Sequence, residues 1–214
     1  MDEVRRSYHD LIAGLRDETV ALVRVSADAV ENVTAALLER DPQAGRSVVA
    51  EVADVNTRVM SVENEVLELL ARQAPVARDL RIILAALRIA QVADLCVGLA
   101  RTLGTRAGRS EDAMTPTLRA LAYEIGAETV TLLRQAAGAW AALDAALAQA
   151  VAGAADAARA LQRRAFAELL ELDGASAEAV IDLGMAARAY ERLTDHAVEI
   201  ADRVLFVTGN PAPA

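Results

Sequence analysis

The sequence predicts an all-α protein built as two antiparallel three-helix bundles in tandem, six helices in a pseudo-repeat. Three observations predict it. The chain is 54% apolar but only 3% aromatic, so Ala, Val and Leu supply the buried surface, and alanine is the best helix former. Apolar residues recur at helical spacing over long stretches, and no alternating strand pattern competes. Pro42, Pro75 and Pro116 fall between those stretches, where proline is tolerated.

The first helix is expected from about Asp2 to Leu38, with Leu11, Leu15, Leu22, Val25, Ala29, Val33 and Leu37 on one stripe. The second, from about Gln43 to Arg72, carries Val48, Val52, Val55, Val59, Val62, Val66 and Leu69 or Leu70. The third, from about Val76 to Arg106, is apolar on most sides, as suits a helix packed between neighbours. Gly104, Gly108 and the charged run Arg109-Ser110-Glu111-Asp112 then mark a linker. A fourth helix starts at Pro116 and holds Leu118, Leu121, Ile125, Val130, Leu132, Leu133 and Trp140; a break is expected between Leu143 and Gly153. A shorter fifth helix follows, near Ala154 to Leu172. Asp173-Gly174-Ala175-Ser176 supplies a stop and a new N-cap. The sixth helix runs from about Ala177 to Val207, and Gly209 can end it. Helices of ~30 residues span ~45 Å, long enough for bundles. The boundaries are therefore a bundle at 1–108, a linker at 109–115, a second bundle at 116–209 and a tail at 210–214.

The charge balance excludes some functions. The 214 residues carry 31 acidic and 22 basic side chains, net −9, and the arginines are interleaved with acids, which argues against nucleic acid as a partner. Cys96 is the only cysteine, so it reads as a buried apolar residue. The N-terminus lacks a secretory apolar segment. The most apolar region, Ile82 to Leu99, is interrupted by Arg88, Gln91 and Asp94 and falls short of the ~20 apolar residues of a membrane span. The expectation is a cytoplasmic protein.

Chemistry concentrates on the sixth helix. At ~100° per residue, Asp195 and Asp202 fall within ~40° of Glu191, and Glu199 within ~80°. Arg188, Arg192, Arg203 and His196 are expected to complete this polar side, with Leu193, Ala197, Val198, Ile200, Val204 and Leu205 opposite. Two readings stay open. One is a solvated face of salt-bridged side chains, each pair worth only ~0.3–0.5 kcal/mol. The other is a metal site with oxygen ligands from Glu191 and Asp195 and nitrogen from His196, completed by another helix or water. No Gly-rich phosphate loop, nucleophile elbow or His-Glu-x-x-His pattern is present, so no enzyme is expected. His9 is read as exposed and without a role.

The run Tyr190-Glu191-Arg192-Leu193-Thr194-Asp195-His196-Ala197-Val198-Glu199-Ile200-Ala201 resembles the signature helix of the PhoU family, whose repeated motif is Glu/Asp-x-x-x-Asp in a Glu-Arg-x-x-Asp-His context. The run Arg72-Gln73-Ala74-Pro75-Val76-Ala77-Arg78-Asp79-Leu80-Arg81 resembles that family's turn between its second and third helices. The six-helix layout agrees, so the resemblance covers nearly the whole chain. It implies metal ligation at Glu191 and Asp195, with Asp94, His196 and Glu199 as weaker candidates. In the N-terminal repeat, Asp94 holds the first acid position, Leu95 replaces the usual Arg, Gly98 the second acid and Leu99 a frequent His. That copy is degraded, and only the C-terminal one is intact. Asp54 and Asp156 stand at comparable places on the second and fifth helices, as ordinary surface acids or as groups facing the same grooves. The implied cofactor is a divalent or ferric ion (Zn, Fe, Mn or Mg), or none.

The resemblance further implies a non-catalytic regulator of phosphate uptake and phosphate-starvation signalling. Its expected partners are the ATP-binding subunit of a phosphate ABC transporter, a sensor histidine kinase and a second copy of itself, with the membrane reached only through partners. The alternative is a metal-binding or metal-buffering bundle with no signalling partner.

Overall fold

Cap chemistry sets the helix starts. In the computed structural model, which describes residues 2–73, 75–107, 109 and 114–209, seven helices follow one another: α1 (Asp2–Glu39), α2 (Pro42–Glu51), α3 (Val55–Gln73), α4 (Ala77–Gly104), α5 (Pro116–Ala142), α6 (Ala145–Leu170) and α7 (Ala177–Thr208). Residues 110–113 of the expected linker and the 210–214 tail lie outside the described residues. Pro42 and Pro116 each open a helix, where the missing N–H costs nothing. Asp41 accepts from the N–H of Gln43 and Ala44, Thr115 from that of Leu118, and Ser176 from that of Ala179, each filling an orphan-donor site. Gly209, at φ 79°, ends α7 in the left-handed region.

Two expected boundaries move. The second rod is interrupted: α2 stops at Glu51 and α3 starts at Val55, yet Val48, Val52, Val55, Val59, Val62, Val66 and Leu69 all stay buried. The stripe runs through the turn on one face, so the break left no mark on the apolar pattern. The fifth rod, α6, is a full-length helix starting at Ala145, not a short one near Ala154. Leu143 turns left-handed at φ 50°, and the Asp144 carboxylate caps Ala146 and Leu147. Gly153 lies inside α6 and breaks nothing. On α1, the core position falls to Ile12, while Leu11 is exposed.

The first bundle is α1, the α2–α3 arm and α4; the second is α5, α6 and α7. They meet broadly, α1 against α5 and α4 against α7, and one apolar core runs through both. Alanines such as Ala86, Ala93, Ala136 and Ala197 are fully buried in it, which lets the helix axes approach closely. α4 is the one described helix long and apolar enough to cross a membrane by length and composition, but more than half of that stretch is buried inside the protein. Cys96 sits there, and burial pushes its thiol pKa far up, so it behaves as an apolar side chain.

One close approach depends on glycine. Gly45 of α2 faces Gly104 at the end of α4, and a Cβ on Gly45 would stand 2.4 Å from the Gly104 carbonyl oxygen. Neither backbone can yield without moving a helix. Gly45→Ala should therefore lower stability by about 1–3 kcal/mol despite alanine's better helix propensity. Thermal unfolding checks it; an unchanged or raised melting temperature would refute the close contact.

Candidate functional site

The acidic side of α7 combines a cap, a periodicity and two neighbouring helices. Ser176 starts the helix, and Leu193, Ala197, Ile200 and Val204 seat its apolar side in the core. That fixes the rotation of the helix and turns Glu191, Asp195 and Glu199 outward.

Each of the three carboxylates meets a guanidinium. Arg188, one turn earlier, places Nη1 2.5 Å from Oε2 of Glu191. Arg159 of α6 donates from Nη2 to Oδ1 of Asp195 at 3.2 Å and from Nη1 to Oδ1 of Asp156 at 3.2 Å. Arg88 of α4 directs Nε and Nη2 at Oε1 of Glu199, at 2.7 and 2.6 Å. Burial works against the Arg159 cation, but its two carboxylate bonds outweigh that and hold its pKa above the usual arginine value. Asp202, also expected on this face, is partly buried, and burial raises its carboxyl pKa.

Two assignments on this helix are corrected. His196 was expected on the polar side but is buried, 6% exposed, because its ~140° offset from Glu191 swings it toward the core. Its Nδ1 lies 3.4 Å from Oε2 of Glu199; burial lowers its pKa, with Glu199 pulling the other way, so the neutral ring is favoured. Val198, expected opposite the acids, is half-buried among them at ~20° from Glu191.

The other candidates sort as follows. Asp156 does join the ladder, through Arg159. Asp54 sits exposed in the turn between α2 and α3. Asp94 is half-buried on α4, beside exposed Leu95 and followed by exposed Gly98. His9 is exposed. Among the described residues, no three His, Cys, Asp or Glu side chains come together in a way that could hold a metal. Glu191 and Asp195 remain two carboxylates already engaged by arginine, with His196 turned inward. As a donor set this does not fit a metal ion well.

Sequence reasoning missed Arg88 and Arg159 as partners. Their pairings reach across 111 and 36 residues, and no local pattern announces them. It also missed a buried joint between the bundles. Thr34 of α1 donates to the Val30 carbonyl and so accepts from the Tyr190 hydroxyl of α7, 2.8 Å away. Burial pushes the Tyr190 pKa up to about 12. Gly126 of α5 leaves the room, since a Cβ there would stand 2.4 Å from Cγ2 of Thr34. Tyr190 is the aromatic position of the quoted signature, so the same helix turn supplies a core lock and a surface ladder.

The family model of the PhoU domain matches residues 20–102 and again 123–204, once in each bundle. The phosphate-specific transport system accessory protein PhoU homolog 1 of Mycobacterium leprae is 30% identical over 206 residues, covering 95% of this chain and 93% of that protein. Homolog 2 of Mycobacterium tuberculosis is likewise 30% identical over 206 residues, covering 95% of this chain and 97% of its own. The crystal structure of PhoU from Pseudomonas aeruginosa superposes with a TM-score of 0.87 at 25% identity, over 94% of this chain and 99% of that one. The phosphate transport system regulatory protein PhoU from Streptococcus pneumoniae shares the fold, with a TM-score of 0.82 at 16% identity, over 97% and 100% of the two chains.

Proposed function

This chain belongs to the PhoU family, and on that premise we propose that it is an accessory protein of a phosphate-specific transport system that works by binding rather than catalysis. In this reading it acts in the cytoplasm as an adaptor. It contacts the ATP-binding subunit of the transporter and a sensor histidine kinase, and it holds the phosphate-starvation response down when phosphate is plentiful.

The observation that carries the reading is the double match. The family domain recurs once per bundle, and the two copies share one continuous core. A body of this kind presents two related outer surfaces in a fixed relation, which suits a protein that relays the state of one partner to another. Apolar side chains exposed on the outer faces support binding there. Met60 and Leu67 lie seven residues apart on α3, and Ile181 and Met185 four apart on α7. Self-association through one of these faces is compatible with the same scheme.

Deleting the gene should release phosphate-scavenging genes from repression in phosphate-rich medium, read as transcript level or phosphatase activity. Normal repression in the deletion strain would overturn the proposal.

A further inference from the structure

Lysine is absent from this chain, and all 22 basic residues are arginine. The ladder on α7 uses that chemistry. We infer that guanidinium groups, and not a metal ion, carry the countercharge of Glu191, Asp195 and Glu199 in this protein.

Three helices supply the cations: Arg188 from α7 itself, Arg159 from α6 and Arg88 from α4. The planar fork of arginine is used in two ways. Arg159 bridges Asp156 and Asp195 across the α6–α7 groove. Arg88 closes two donors on one oxygen of Glu199 across the α4–α7 groove. A lysine ammonium offers no such fork.

A metal between Glu191 and Asp195 would have to displace Arg188 and Arg159 or sit against two like charges. The nitrogen that might complete its shell belongs to His196, which is buried with Nδ1 toward Glu199. The N-terminal copy offers no substitute. Gly98 stands at the second acid position, and the space its Cβ would occupy is open, with no other group filling it.

The full-length protein is incubated separately with Zn²⁺, Mn²⁺ and Fe³⁺, desalted and analysed for metal. Its melting temperature is followed with and without a chelator. The expected result is no retained metal and no chelator shift. One or more equivalents retained, and lost in Glu191→Gln/Asp195→Asn, would overturn the inference. A second variant, Arg88→Gln/Arg159→Gln/Arg188→Gln, frees the carboxylates at exposed positions where folding should survive, which circular dichroism verifies. It is expected to be less stable than wild type, with the loss not recovered by added Zn²⁺, since the described carboxylates offer no third donor; full recovery on adding Zn²⁺, or no loss at all, would overturn the inference.

Discussion

Replacing Trp140 with alanine should cost the fold about 3–5 kcal/mol, the range for deleting a large aromatic from a packed core. Trp140 is the only tryptophan, fully buried on α5, and it does two jobs. Its rings fill the core beneath α1, in a protein whose other core side chains are mostly small. Its Nε1–H donates to Oγ1 of Thr19 on α1 at 2.8 Å. The Thr19 hydroxyl in turn donates to backbone carbonyls of its own helix, Leu15 at 3.1 Å or Arg16 at 2.8 Å, so the acceptor is held in place. The contact therefore joins the two bundles, and its loss should loosen α1 from α5 rather than melt one helix. For a chain of this length the melting temperature should fall by roughly 10 °C or more. Trp140→Phe keeps most of the volume and loses the hydrogen bond, and should cost about 1–2 kcal/mol. Circular dichroism must follow the unfolding, since the variants lose the only tryptophan fluorescence. An alanine variant no less stable than the phenylalanine variant would refute this account of the packing.

What the sequence made legible, and what it did not, divides along physical lines. Helix starts with a local cause were readable: Pro42 behind Asp41, Pro116 behind Thr115, and Ser176 each combine a fixed or capping residue with a following apolar stripe. The start of α6 had the same signal in Asp144, but a run of alanines on both sides hid the phase, and Gly153 drew the boundary too far along the chain. The break between α2 and α3 had no glycine or proline to mark it. Its valines keep facing the core on both sides, so burial alone could not show it. On α7, the 100° rotation correctly grouped Glu191, Asp195 and Glu199. It failed where it was overruled by chemical type: His196 was placed with the charges because it is polar, although its angle points inward. The partners of the ladder were beyond reach, because Arg88 and Arg159 arrive from other helices. Of the two readings the sequence left open for this face, the geometry favours the salt-bridged one.

The second large effect is expected at the opposite end of the bundle, where Asp182 meets Arg106. Asp182 lies near the start of α7 and is buried, 8% exposed; Arg106 follows the end of α4, and its Nη1 donates to Oδ1 of Asp182. The pair therefore ties the exit of the first bundle to the last helix of the second. Its surroundings are largely apolar: a cavity of about 70 Å³ lined by Leu37, Met114, Leu118, Leu169, Leu183 and Tyr190, with Arg40 also on its wall. Removing one ion from such a place leaves the other poorly solvated, whereas removing both does not. Asp182→Ala should cost about 3 kcal/mol, toward the low end for a broken buried pair because the Arg106 side chain is still 19% exposed and can reach water. Arg106→Met/Asp182→Leu should recover most of that loss, since the cavity walls already suit apolar side chains. A double-mutant cycle by denaturant unfolding separates the coupling from the single costs. If the double variant is as unstable as Asp182→Ala, the ion pair is not what sets the cost. The apolar contacts of this small satellite core, Leu118, Leu169, Leu183 and Ala187, would then have to account for it.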